Sequence, residues 1–104
     1  MIGAPSREES RAKFGPLYDQ IATILFQADP IGINFGENVD EYEPEVTTIL
    51  PRLSTASGPD DVAVIVYEEF VRWFGRIDAK GRARYVKPAA EIWQAWCRFN
   101  GREA

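Results

Sequence analysis

A chain of 104 residues that is 45% hydrophobic and 12% aromatic holds enough apolar material for one core and too little length for two domains. Its 12 basic and 16 acidic residues give a formal charge of −4, which opposes a general role on nucleic acid or an anionic membrane, since both need a positive footprint. The absence of histidine removes the commonest general base and metal ligand, and a single cysteine, Cys97, excludes an internal disulfide.

The opening residues lack the basic and apolar regions of a signal peptide, and no apolar run approaches the ~18 residues of a membrane span. With one unpaired thiol, the expected location is the cytoplasm. The charge is segregated along the chain. Residues 29–61 hold eight acids against the single Arg52, a balance of −7, whereas the run from Arg72 to Lys87 holds six bases (Arg72, Arg76, Lys80, Arg82, Arg84, Lys87) and only Asp78. Two solvated surfaces that neutralise each other within the fold or across a homodimer account for this pattern, and a partner-binding patch is the sharper reading.

The predicted elements are all helices. Residues 1–5 are expected to be disordered. Ser6 and Glu9 have the spacing of a capping box, so a helix begins there. Gly15-Pro16 then either kinks it or starts a new helix with Pro16 in its first turn. Phe14, Leu17, Tyr18, Ile21, Ile24, Leu25 and Ala28 follow three-and-four spacing on one face, and Asp29-Pro30 ends the helix.

A second helix is expected from near Asp40, whose carboxylate can cap it, with Glu41, Glu43 and Glu45 favoured by the helix dipole. Its apolar face is Val46, Ile49, Leu50 and Leu53, and it ends between Ser54 and Gly58. A third starts at Pro59-Asp60-Asp61 and buries Val62, Ile65, Val66, Phe70 and Trp73. Ala63, Val64, Tyr67, Val71 and Phe74 fill much of its remaining surface, as in a central helix, and Gly75 stops it. Residues 76–87 suit a short two-stranded hairpin and an ordered loop equally. Pro88 opens the last helix, packed through Ile92, Trp93, Trp96, Cys97 and Phe99; burying one such aromatic contributes about 2 kcal/mol or more. The expected fold is a single all-α domain resembling a four-helix bundle.

Little catalytic chemistry is available. Cys97 lies on an aromatic helix face and reads as a small buried hydrophobe rather than a nucleophile. Asp29, Asn34, Glu37, Asn38 and Asp40 could supply oxygens to a cation, but their spacing lacks the alternation and terminal glutamate of an EF-hand loop, so no metal or other cofactor is expected. Gly32 and Gly36 do not form a phosphate cradle. Trp73, Phe74 and Tyr85 within the basic run have the composition of a nucleic-acid patch, but the first two fit the helix core and the net charge opposes it.

The most unusual segment is residues 29–45, with Asp29, Glu37, Asp40, Glu41, Glu43 and Glu45 and no base among them. Asp29 can accept amides of a tight Pro30-Ile31-Gly32 turn, and Tyr42 can anchor the following helix, so Asp29, Pro30, Gly32 and Tyr42 form a structural motif. Glu37, Glu41 and Glu43 are less well explained this way, because crowded like charges repel unless something positive meets them.

Asp29-Pro30-Ile31-Gly32-Ile33 followed by Asp40-Glu41-Tyr42-Glu43-Pro44-Glu45 resembles a family of small bacterial all-helical proteins of unknown function, the DUF1871-like group, some of which suggest immunity proteins of toxin systems. The motif covers about a sixth of the chain. The resemblance implies a four-helix fold with the acidic loop between the first two helices, and it supplies no catalytic residues; residues 34–39 and the basic segment after Gly75 depart from the family's pattern.

The expectation is therefore a non-enzymatic protein-binding domain. Its partner surface is Glu37, Asp40, Glu41, Glu43 and Glu45, offered to a basic protein such as a toxin domain. A self-associating structural domain is the alternative, and a metal-binding protein or minor enzyme a weaker one.

Overall fold

The computed structural model describes residues 6–28, 43–79 and 81–101, and for residues 43, 44, 77 and 78 the backbone alone. Residues 1–5, the Asp29-Pro30 helix end, the turn through Ile31, Gly32 and Ile33, and the Asp40 cap lie outside the described residues.

The described residues open on the capping box that the sequence predicts. Glu9 N donates to Ser6 Oγ at 3.0 Å and Ser6 N donates to Glu9 Oε1 at 3.0 Å, so two otherwise unpaired amides are satisfied at the start of α1 (Arg7–Phe14). The Ser6 backbone bond, then the Ser6 hydroxyl, hold Glu9 below the ordinary carboxylate range. Gly15, at φ 55°, ends the helix and donates to the Arg11 carbonyl at 2.8 Å. A side chain is strained at that φ, which is why glycine stands there. Pro16 opens a separate helix, α2 (Pro16–Ala28), in which the missing proline amide costs nothing.

Phe14, Leu17, Tyr18, Ile21 and Leu25 are buried as their spacing predicts, joined by Ala22; Ile24 is half-buried and Ala28 is exposed. In α3 (Glu43–Ile49), Val46 and Ile49 enter the same core. The α-helix does not run on to Ser54. Pro51 has no amide for the next i→i−4 bond, and the chain tightens at Leu50–Thr55 into a 3-10 helix that still buries Leu50 and Leu53.

The central helix, α4 (Pro59–Ala79), opens where Pro59-Asp60-Asp61 predicts, and Asp61 Oδ2 accepts the Ser57 amide at 2.8 Å. Val62, Ile65, Val66 and Phe70 are buried, with Ala63, Tyr67, Val71 and Phe74 packed around them. One expectation fails here: Trp73 is 43% exposed rather than part of the core. Gly75 does interrupt the helix, since φ 83°, ψ 165° is non-helical, and a second helical stretch runs on beyond it to Ala79.

The hairpin is not seen among the described residues of 76–87, and of the ordered-loop alternative only Gly81 is non-helical there. The described part holds the tail of α4, a 3-10 helix at Arg82–Tyr85 and the start of α5 (Val86–Phe99). Tyr85 is the cause. Its ring is fully buried edge-on against Phe70 (5.2 Å) and Tyr67 (5.8 Å), and its hydroxyl donates to the Ala79 carbonyl, pulling the connection tight in a way that strand pairing does not allow. That burial also pushes the Tyr85 phenol up to about 12. Pro88 sits one turn inside α5, where amides have no helical acceptor anyway. Ile92, Trp96 and Cys97 are buried, Trp93 is half-buried, and Phe99 is exposed at one edge while still stacking on Trp96 (5.9 Å) and leaning on Phe14 (6.0 Å).

The architecture is all-α: five α-helices and two 3-10 helices, and no strand, among the described residues. Helix α5 packs on both α4 and α2, α3 packs on α4, and one contiguous core joins them. The radius of gyration is 12.7 Å, close to the ~13 Å of a packed chain of this length. No helix among the described residues is long and apolar enough to cross a membrane.

Candidate protein-binding surface

Helix α3 is the described end of the acidic segment, and it is seated on α4. Val46 and Ile49 anchor it from below, and a chain of polar contacts anchors it at the side. The Trp73 indole N–H donates to Thr48 Oγ1 at 3.1 Å, and the Thr48 hydroxyl donates to the Glu45 carbonyl at 3.0 Å. One turn past α3, Arg52 spans two carboxylates of α4, giving Nη1 to Glu69 Oε2 at 2.9 Å and Nη2 to Glu68 Oε1 at 2.6 Å. The fork of the guanidinium suits this double contact, and the Glu68 bond above all holds the Arg52 proton more tightly than usual.

The five carboxylates predicted as a partner surface divide. Glu37, Asp40 and Glu41 lie outside the described residues, as do Asp29, Pro30, Gly32 and Tyr42 of the structural motif, and of Glu43 only its backbone, at the start of α3, is described. Glu45 is not on the surface at all. It is 2% exposed, its Oε2 has no hydrogen-bond partner, and burial raises its carboxyl to about 7 against a weaker opposing bond from its own backbone. It faces inward because it falls one residue before Val46 and four before Ile49, on the stripe that meets the core. Glu45 therefore belongs to the packing of α3, and a partner cannot reach it.

Three residues of this surface were not legible as such. Glu69 is 1% exposed; its Oε2 takes the Arg52 bond, while its Oε1 lacks a hydrogen-bond partner and stands 3.9 Å from Arg72 Nε. Its signal is positional: Glu69 stands four residues after Ile65 and three after Val66, inside the buried stripe of α4. Arg52 follows from it, since a carboxyl so placed needs a cation. Trp73 continues the same stripe, but α3 reaches it only through Thr48, which leaves one face of the indole in solvent between the exposed Arg72 and Arg76.

Among the described residues no group of three or more histidine, cysteine or acidic side chains is placed to hold a metal ion. Comparison with family models, curated proteins and solved structures returns no match for the chain.

Proposed function

We propose that this chain is a small protein-binding domain that offers the acidic residues Glu37, Asp40, Glu41 and Glu43 to a basic partner surface, in the manner of an immunity protein covering a toxin. The observation that carries this reading is the run of five acids, Asp29, Glu37, Asp40, Glu41 and Glu43, with no base among residues 29–44. Crowded like charge of this kind destabilises an isolated fold and is relieved by a positive partner, whose approach it also accelerates and selects. The seating of α3 through Val46, Ile49 and the Thr48–Trp73 hydrogen bond supports it by giving the segment a rigid base. With α1 read as a lead-in to α2, the packing of α5 on α2 and α4 and of α3 on α4 supports the four-helix arrangement that the resemblance implies. Such a protein works by occlusion, without a cofactor or a reaction of its own, in the cytoplasm where its partner is made. The test is partner capture at low salt by the wild type beside a variant with Glu37, Glu41 and Glu43 reversed to Lys.

A second reading is favoured by Trp73, exposed between Arg72 and Arg76: the acidic segment of one copy meets this basic, aromatic part of α4 in another. It predicts association that is lost on reversal of Arg72 and Arg76.

A further inference from the structure

Helices α2 and α5 lie antiparallel, and an open groove of about 490 Å³ runs between them, with Ile24 and Ala95 in its floor and Asp19, Thr23, Glu91 and Arg98 among the residues along its sides. A second hollow of about 150 Å³ continues it past Ile24 and Glu91 toward Lys87. Asp19 is occupied by Arg11 at 3.2 Å. Glu91 and Arg98 are both exposed, and among the described residues neither side chain makes an ion pair or hydrogen bond. They stand seven residues apart, which puts them on one face of α5 at about 10 Å separation, too far to satisfy each other.

We infer that the α2–α5 face is a self-complementary contact surface on which a second copy of this chain packs antiparallel, so that Glu91 of each copy meets Arg98 of the other. The midpoint between these residues falls at Gln94–Ala95. A two-fold axis lying in the contact plane opposite that point, perpendicular to α5, reverses the helix direction and sets each acid against the other copy's base, forming two equivalent ion pairs from one acid and one base per chain. Any other occupant would have to carry a base and an acid at the same two-turn interval in the opposite sense, which is what α5 itself supplies.

Ala95 is 2% exposed and lies beneath the contact, so the exposed Gln94 stands at its centre. Gln20 and Gln94, whose amides both donate and accept, line the groove and can fill the space enclosed between two copies. The face is modest. A 14-residue α5 is about 21 Å long, and with α2 beside it offers on the order of 400 Å² per copy, half of the ~800 Å² of a standard stable interface. The association is therefore weak, reversible and sensitive to salt.

Sedimentation at low and high salt of the wild type, Glu91→Arg, Arg98→Glu and the double exchange E91R/R98E tests this. Both positions are exposed, so all four proteins fold, which circular dichroism checks. The expected result is a wild-type monomer–dimer equilibrium at low salt, weakened about tenfold by either single reversal and restored by the double exchange, which rebuilds both pairs with the signs swapped. A wild type that stays monomeric up to about 1 mM overturns the inference, as do single reversals that leave association unchanged or a double exchange no stronger than the singles. None of these variants touches residues 37–43 or Arg72 and Arg76, so this outcome is independent of both proposed partner surfaces.

Discussion

Arg52 Nη1 stands 2.9 Å from Oε2 of Glu69, a carboxyl group that is 1% exposed in the middle of the central helix. The pair reaches 17 positions along the chain and ties the 3-10 segment after α3 to α4. Its cost lies in the desolvation of Glu69, so removing the guanidinium alone should be worse than removing both groups. Arg52→Met is expected to lower stability by about 3 kcal/mol, and Arg52→Met with Glu69→Met to recover most of that loss. Urea denaturation of the two single variants and the double variant checks it, with the coupling read from the cycle.

Glu45 makes stability depend on pH in the opposite sense to most carboxylates. Its folded value of about 7 exceeds the 4.5 of an unperturbed glutamate. Between those values the folded chain binds the extra proton, so stability is full below about 4.5 and falls as pH rises through 7, by about 3 kcal/mol. Glu45→Gln should match the wild type near pH 4.5, exceed it at pH 8 and flatten the dependence. Urea midpoints from pH 4 to 8 measure both curves, and parallel curves for the two proteins would remove Glu45 as the cause.

Gly75 and Gly81 separate backbone strain from side-chain space. A Cβ at either meets nothing within 4 Å, but Gly75 sits at φ 83° and Gly81 at −81°. Gly75→Ala is expected to cost about 1–3 kcal/mol, because its φ and ψ lie in a region open almost only to glycine. Gly81→Ala should be neutral or stabilising by about 0.4–1 kcal/mol through the unfolded chain. Thermal melts of the two variants read the contrast.

How far the fold was legible follows from the range of the interactions involved. The Ser6–Glu9 box, the Gly15-Pro16 break and the buried faces of α2 and α4 depend on residues within a turn or two of each other, and the periodicity states them. Residues 76–87 misled because their alternation suits a strand, while the deciding contact, Tyr85 onto Tyr67 and Phe70, comes from fifteen or more positions away. Pro51 was a local signal: its missing amide marks where α3 gives way to a 3-10 helix. Of the proposed binding surface, charge segregation was legible and burial was not. Glu45 and Glu69 both occupy core-facing positions, and the habit of assigning carboxylates to solvent hid them.

Tyr85 should show its structural role directly. Tyr85→Phe keeps the ring packing but leaves the Ala79 carbonyl without its donor, and is expected to cost about 1–2 kcal/mol. Hydrogen exchange should also rise in the segment from Arg82 to Val86, a local loosening that a loss of packing elsewhere would not produce.

The central claim, that the acidic segment meets a basic protein, is tested most directly by partner capture from the source cell's lysate at low salt, with the wild type beside the variant reversed to Lys at Glu37, Glu41 and Glu43. A basic protein retained by the wild type, lost by the variant and released by added salt is the predicted result. Retention of the same proteins by both, or of nothing by either, would contradict it and leave the charge of this segment a matter of folding or self-association.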